Sequence, residues 1–439
     1  MSAAATEILA LNAFGGRDPA ALPPEVEAAV RRRQASYGAG SVLFYDEPLR
    51  VTEARGATIL TADGRAYLDF YNNVPSVGHC HPKVVEAVRE AVGRINVHSR
   101  YLSDDAHDYA EALLSTFPPE LSNLALTCTG SESNDLALRI ARLATGAEGV
   151  VVTEAAYHGN TAAVTEVSPS SYRRGGPPAR VRTVPAPDPR IYGDDVGAGF
   201  AAAVEAAIAA LAEDGIRPAA LLVDTIFSSD GVFADPPGFL APAVAAMRAA
   251  GGLLVADEVQ PGFGRTGAGL WGFSRHGIVP DIVTMGKPMG NGYPVAGLVT
   301  RPDLLARFYE DFGYFNTFAA SPVAAAAALA VLEAIEEDGL VANAREVGAH
   351  LRSGLDDLAA RHAGIAAVRG VGLYVGVEFR TEGGAPDAPT VSRLINDLCR
   401  EGILIGAAGR HGDTLKLRPP LCVTKADADR LVETLDRVM

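Results

Sequence analysis

The feature that most constrains the fold is a regular alternation, between about residues 71 and 300, of short apolar runs with amphipathic helical stretches. The apolar runs lie at residues 123–128, 149–153, 219–224, 252–257 and 282–285. Strands that are apolar on both faces are typical of a parallel sheet covered by helices on each side. We therefore predict an α/β fold in which ligands bind at the carboxyl ends of the strands.

The chain on either side of this region has a different pattern. Residues 50–70 are short apolar stretches broken by glycine turns, which predicts a small antiparallel meander. Beyond residue 301 we predict helices at 321–336 and 338–362, strands at 367–379, 403–405 and 415–417 with a βαβ-like return, and a final helix capped by Thr424. We expect residues 71–300 to form a large domain, and residues 1–70 and 301–439 together to form a smaller α+β domain.

The charge and composition favour a protein that acts on small molecules. The chain has 53 acidic and 38 basic residues and a net charge of -15, and an excess of this sign repels nucleic acids and anionic membranes. Its four cysteines form no CxxC pair, so we expect reduced thiols and no metal site. No signal-peptide pattern opens the chain and no uncharged apolar run is long enough for a membrane span, so we expect a cytoplasmic protein.

Three polar motifs stand at the ends of predicted strands. One apolar run ends in Asp257-Glu258, another ends in Gly286-Lys287, and a third leads into the stretch TCTGSES at 127–133, where a helix begins. Each motif has an ordinary structural explanation when taken alone: a capped loop, an exposed lysine or a helix start. In a doubly wound sheet, however, all three are expected at the ligand-binding edge.

Together the three motifs supply what a pyridoxal phosphate site requires. The cofactor needs a lysine amine for a Schiff base, here Lys287, and a carboxylate that keeps its pyridine nitrogen protonated, here Asp257. It also needs backbone N–H groups at a helix N-terminus for its phosphate, here at Gly130 and Ser131. A carboxylate beside a cationic ring nitrogen is stabilised in its charged form. We therefore expect an enzyme that binds pyridoxal phosphate and reacts with primary amines.

The residues around these motifs also resemble a family signature. The stretch LLVADEVQPGFGRTG at 253–267 and the stretch PDIVTMGK at 280–287 are similar to the signature of class III aminotransferases. The resemblance extends from about Phe44 to the C-terminus. It implies fold type I, with a large domain of mostly parallel sheet and a smaller α+β domain from both chain ends, and it implies a homodimer as the functional unit.

The resemblance also assigns roles to individual residues. It implies that Lys287 carries the cofactor and that Asp257 pairs with the ring nitrogen. The other implied cofactor-binding residues are Gly130 and Ser131 at the phosphate, Val259 and Tyr157 on the two ring faces, His158 beside Tyr157, Gln260 near the ring hydroxyl, and Thr317 at the cofactor phosphate of the other subunit.

Near the C-terminus the sequence departs from the common family pattern. Many members have a carboxylate-binding arginine where this chain has Lys416, and a glutamate that pairs with it where this chain has Ser229. Lysine binds anions as a point charge and lacks the planar fork of arginine. These changes, and the segment around Asn73, resemble a branch of phospho-lyases that act on ethanolamine phosphate or phosphohydroxylysine. Asn73, Lys416, Arg410 and Arg418 are candidate substrate residues, with surface or dimer contacts as alternative roles for the two arginines.

Three functions are compatible with these motifs. Transamination, from an amine or amino acid to a keto acid, is favoured because it is the commoner activity of the class and because Lys416 or Arg410 could bind a carboxylate. Elimination of phosphate from a phosphorylated amino alcohol or amino acid is the alternative. A binding protein without turnover is disfavoured because it would not require Lys287 as a base.

Overall fold

A computed structural model describes residues 12–14, 19–172 and 174–439 of the chain. The first α-helix of these residues, α1 (Pro24–Tyr37), precedes three antiparallel strands, β1 (Val51–Arg55), β2 (Thr58–Thr61) and β3 (Ala66–Asp69). The three strands confirm the predicted meander. Residues 1–11 and 15–18 of the predicted N-terminal part lie outside the described residues.

A seven-stranded sheet follows. Its strands are β4 (Asn123–Thr127), β5 (Gly149–Thr153), β6 (Val181–Val184), β7 (Pro218–Asp224), β8 (Leu253–Asp257), β9 (Ile282–Met285) and β10 (Ala296–Thr300), in the order β4-β10-β9-β8-β7-β5-β6. The five strands from β9 to β6 are parallel, whereas β10 pairs antiparallel with both β9 and β4. The predicted α/β class is therefore confirmed, and β10 was not predicted.

Helices cover both faces of this sheet. The helices of this region are α2 (Pro82–Arg94), α3 (Asp104–Leu114), α4 (Gly130–Thr145), α5 (Ala162–Glu166), α6 (Pro189–Tyr192), α7 (Val196–Glu213) and α8 (Ala241–Ala249). Val150 and Val152 of β5 pack in the core beneath α4, whereas Val151 packs with Phe200 and Val204 of α7 on the opposite face. Among the described residues α7 alone is long and apolar enough for a membrane span, a criterion that a buried core helix also meets.

The C-terminal part adds helices, a four-stranded sheet and one strand that joins the N-terminal meander. Its elements are α9 (Pro302–Asp311), α10 (Pro322–Glu337), α11 (Leu340–Ala359), β11 (Ile365–Val371), β12 (Tyr374–Phe379), α12 (Ala388–Arg400), β13 (Ile403–Leu404), β14 (Gly406–Ala408), β15 (Thr414–Leu417) and α13 (Lys425–Val438). Helix α13 begins with the predicted cap, because Thr424 and Asp427 form a reciprocal capping box.

The predicted βαβ-like return is wrong in its pairing. Strand β13 pairs in parallel with β3 of the N-terminal meander, whereas β15 pairs antiparallel with β12 and β14. The reason is that β13 lies beside the free edge of β3, where its backbone groups find partners. The two chain ends therefore share one sheet, although the exact division at residues 71 and 301 stays a prediction.

Candidate active site

Close backbone contacts bring the three sequence motifs together. Helix α4 begins at Gly130, and a methyl group on Gly130 would come within 2.9 Å of Val259 Cγ2. A methyl group on Gly286 would come within 3.1 Å of the Gly130 Cα atom. These positions accept only glycine without a shift of their neighbours, so the N-terminus of α4 lies directly against the ends of β8 and β9.

Lys287 lies at the end of β9 and opens a single 3-10 turn, Lys287–Gly290. Its φ angle is 30°, in a region that residues other than glycine rarely adopt and that often marks functional sites. The side chain is half-buried and lines a cavity of about 370 Å³. Burial, and then the charge of Arg418, lowers the pKa of Lys287 to about 8, which favours the neutral and nucleophilic amine.

Asp257 ends β8 and is buried beside this cavity. Its Oδ1 atom accepts a hydrogen bond from the Val259 N–H at 3.0 Å. Its Oδ2 atom lies 2.7 Å from His158 Nδ1 and accepts a second bond from Asn134 Nδ2 at 3.0 Å. A carboxylate oxygen has about two acceptor positions, so Oδ2 is fully used and Oδ1 keeps one acceptor position.

Gln260 and the cationic residues form another wall of the cavity. The Gln260 Oε1 atom accepts hydrogen bonds from Asn73 Nδ2 at 2.6 Å and from Arg418 Nη1 at 3.0 Å. The Arg418 guanidinium lies over the ring of Tyr71, with 4.6 Å between its carbon and the ring centroid. Lys416 is buried in the same wall, where burial and the charges of Arg418 and Lys287 hold the pKa of Lys416 well below its ordinary value.

The remaining walls come from distant parts of the chain. The half-exposed ring of Tyr157 lines the cavity, and Ser229 also lines it. The other lining residues are Asn12, Phe44, Tyr71, Asn160, Ser170, Ser171 and Ala407. The cavity lining therefore combines cationic side chains with several residues that the motifs did not include.

Two predicted substrate residues, Arg410 and Asn73, do not line this cavity. Arg410 forms an ion pair with Glu154 and lines a separate cavity of about 320 Å³, so it does not reach the cavity of Lys287. Thr317 lines a third cavity of about 630 Å³ together with Cys128 and the exposed Phe318. Asn73 lies behind Gln260 and is not part of the cavity wall itself.

The donor set of this site fits pyridoxal phosphate. Lys287 offers an amine of low pKa, and Asp257 keeps one acceptor position for a protonated ring nitrogen. The first turn of α4, where Gly130 leaves room for close approach, offers backbone N–H groups to a phosphate. A twisted α/β sheet with this set at its carboxyl edge defines a pyridoxal-phosphate-dependent enzyme of fold type I.

Comparison with known proteins identifies the family. The family model described as aminotransferase class-III matches residues 44–439, so the chain belongs to the class III aminotransferases. An alanine–glyoxylate aminotransferase 2-like protein of Drosophila melanogaster is 36% identical over 420 residues, which cover 92% of this chain and 85% of that protein. An ethanolamine-phosphate phospho-lyase homolog of Caenorhabditis elegans is 33% identical over 461 residues, which cover 99% of this chain and 98% of that protein.

Solved structures give the same fold. A phospholyase from Arthrobacter, solved in complex with phosphoethanolamine, is 41% identical and superimposes with a TM-score of 0.90, covering 93% of this chain and 99% of the other. An ornithine aminotransferase from Toxoplasma gondii has 24% identity and a TM-score of 0.79, covering 96% of each chain. The predicted cofactor and fold type are thus confirmed.

The motifs missed several residues of the site. Asn134, which holds Asp257, lies one helical turn after Gly130, so a buried polar residue on that helix face was an available signal. Asn12 and Phe44 lie far from the motifs in sequence. They reach the cavity through long-range pairing, which no local pattern reveals.

Proposed function

We propose that this protein eliminates phosphate from a small phosphorylated primary amine of the ethanolamine phosphate type. The observation that carries the proposal is the state of Lys416. This amine is buried in the cavity wall beside Arg418, its lowered pKa reflects how costly its charged form is there, and no carboxylate of the described residues lies within ion-pair distance of it. A buried ammonium without a partner is costly, and a phosphate dianion is a ligand that would stabilise the charged form of Lys416.

The nearby carboxylates of the described residues form no direct ion pair with Lys416, although the charges of Asp224 and Asp230 act to raise its pKa. Ser229 lines the cavity where many family members have the glutamate. The nearby carboxylate of Asp224 is turned to the backbone N–H groups of Ile226 and Ser228, at 3.0 and 3.1 Å. The similarity to the phospholyase from Arthrobacter and to the C. elegans homolog supports the same substrate class.

The residues of the chain divide the work of such a reaction. Bound pyridoxal phosphate supplies an aldehyde that takes the substrate amine and a ring that withdraws electrons from the adjacent carbon. We assign to Asp257 the stabilisation of the protonated ring nitrogen. Lys287, whose pKa is lowered to about 8, is the base that removes the proton from the amine-bearing carbon. Lys416 and Arg418 stabilise the charge on the phosphate as its C–O bond breaks.

The overall reaction consumes one water molecule. The C–O electron pair leaves with the phosphate, and hydrolysis of the unsaturated product gives ammonium and an aldehyde. No keto acid takes part, which separates this reaction from transamination.

The test is to incubate the cofactor-loaded enzyme with ethanolamine phosphate in the absence of any keto acid. We expect phosphate and ammonia to be released in equal amounts over many turnovers. Release of neither product, together with amino transfer from alanine or β-alanine to an added keto acid, would overturn the proposal. Transamination is the second candidate, supported by the similarity to the alanine–glyoxylate aminotransferase 2-like protein.

We also propose that two copies of the chain form a homodimer. Tyr101 and Phe318, which are 64% and 75% exposed, line the cavity that contains Thr317, and Leu102, next to Tyr101 in the chain, is 92% exposed. Large exposed apolar groups of this kind are typical of protein interfaces. Sedimentation of the purified protein should give twice the mass of one chain, and Leu102→Asp should shift it towards the monomer; a monomeric wild type would contradict the proposal.

A further inference from the structure

The carboxylate of Asp257 is held by a residue outside the sequence motifs, Asn134. The Asn134 side chain is fully buried on α4. Its Nδ2 atom donates to Asp257 Oδ2 at 3.0 Å and to the His158 carbonyl oxygen at 2.8 Å. Its Oδ1 atom accepts a hydrogen bond from Thr284 Oγ1 at 2.7 Å. Both donors and the carbonyl oxygen of the amide are therefore engaged.

The surroundings of Asn134 fix which way its amide points. A flipped amide would place its oxygen against two acceptors, the carboxylate of Asp257 and the carbonyl oxygen of His158. Thr284 lies on the strand next to that of Asp257 and is itself fully buried. Hydrogen bonds from Thr284 to Asn134 and from Asn134 to Asp257 therefore link β9, α4 and β8. Only one orientation of the Asn134 amide satisfies them all.

We propose that Asn134 is a positioning residue for Asp257 and that Thr284 anchors it. With His158, Asn134 occupies both acceptor positions of Asp257 Oδ2, so that Oδ1 is the oxygen left to accept from the ring nitrogen of pyridoxal phosphate. Without Asn134 the carboxylate keeps only its contacts with His158 and the Val259 N–H, so each oxygen has an open acceptor position and Oδ1 is no longer the single one available. The inference rests on the role that we assign to Asp257 and is independent of whether the reaction is elimination or transamination.

The test compares cofactor affinity among variants of similar shape. Asn134→Asp replaces the donor by an acceptor that faces Asp257, and we expect the dissociation constant of pyridoxal phosphate to rise roughly tenfold or more, as for other residues that orient a ligating group. The matched control is Asn343→Asp, because Asn343 also donates two hydrogen bonds to carbonyl oxygens, at 2.7 and 2.9 Å, away from the cavity. This control should leave the dissociation constant unchanged. The affinities are measured by absorbance titration of the apoenzyme.

A second pair of variants decides the matter if Asn134→Asp does not fold. Thr284→Val removes only the hydroxyl group that anchors Asn134 and should weaken cofactor binding severalfold, whereas Thr284→Ser should restore it. Wild-type affinity in Asn134→Asp, or in Thr284→Val, would overturn the inference. Asp257→Asn separates the role of Asp257 from that of Asn134. Wild-type cofactor affinity in Asp257→Asn would contradict the role of Asp257 itself. Loss of affinity in Asp257→Asn alone, with none in the Asn134 and Thr284 variants, would reject only the positioning role of Asn134.

Discussion

Lys287 and Lys416 line the same cavity, and burial lowers the pKa of both amines. Both pKa values are lowered by burial and by the charge of Arg418, yet the two side chains occupy different surroundings. Lys287 opens a 3-10 turn with a positive φ angle, whereas Lys416 lies in the regular strand β15. The strained backbone at Lys287 is the kind of local cost that is kept at catalytic positions. Lys416, on a rigid strand, suits the fixed placement of an anion.

Replacement of Lys416 should therefore weaken substrate binding. A charge-assisted hydrogen bond contributes about 1.5–3 kcal/mol, so Lys416→Gln should raise the KM for ethanolamine phosphate by roughly ten- to hundredfold. Lys416→Arg keeps the charge and should retain most of the affinity. Steady-state phosphate release measures both, and an unchanged KM in Lys416→Gln would exclude Lys416 from phosphate binding.

At the scale of the elements, the site depends on how closely α4 approaches β8 and β9. Gly130 is the first residue of α4 and touches the Val259 side chain, which the family resemblance assigns to one face of the cofactor ring. Because valine is branched at Cβ, its side chain has little freedom to move aside. The same substitution, glycine to alanine, should consequently have opposite effects in two helices of this protein.

In Gly130→Ala the new methyl group lies 2.9 Å from Val259 Cγ2 and should displace either α4 or the valine, so cofactor affinity should fall severalfold. In Gly93→Ala, on α2, no atom lies within 4 Å of the new methyl group, and the free energy of unfolding should rise by about 0.5–1 kcal/mol. Absorbance titration and thermal unfolding of both variants test the contrast. If the two variants had the same cofactor affinity and the same change in stability, the close approach of α4 to β8 and β9 would not be required for cofactor binding.

At the scale of the whole molecule, ion pairs connect the C-terminal sheet to the large one. Glu378 of β12 is buried and accepts hydrogen bonds from Arg190 Nη1 at 2.6 Å, from Arg380 Nε at 2.7 Å and from Arg369. Arg190 follows β6 of the large sheet. Burial alone would raise the pKa of Glu378, but the hydrogen bond from Arg190 and the charge and hydrogen bond of Arg369 outweigh it and lower this pKa to about 2.

This depressed pKa predicts a loss of stability in acid. An unfolded glutamate has a pKa of about 4.3, so the stabilisation is fully present above that pH and is lost as the pH falls towards 2. Its size is at most roughly 3 kcal/mol from a difference of about two pH units. Thermal unfolding of the wild type, followed from roughly pH 5 down to roughly pH 2.5, should show this loss of stability. Glu378→Gln should be less stable than the wild type at pH 7, and its stability should change less with pH. A pH dependence as steep as that of the wild type would show that Glu378 does not cause the loss of stability in acid.

The sequence alone determined the large sheet and predicted the three motifs that meet at its edge. Continuous apolar runs bury both faces, as Val150 and Val151 do, and this pattern is local and therefore readable. Asp257, Gly130 and Lys287 were predictable for a related reason: each stands at the end of such a run, and the carboxyl ends of parallel strands meet at one edge.

Only the tertiary structure decided how distant segments meet. Backbone N–H and C=O groups are the same in every strand, so the pairing of β13 with β3 and the antiparallel direction of β10 leave no local signal. The ion pair of Arg410 with Glu154 outside the cavity also depends on how distant segments pack, so the sequence could not reveal it. The sequence also could not show that Asn134 holds the carboxylate of Asp257. Its amide meets Asp257 only when three elements, β8, β9 and α4, have packed together.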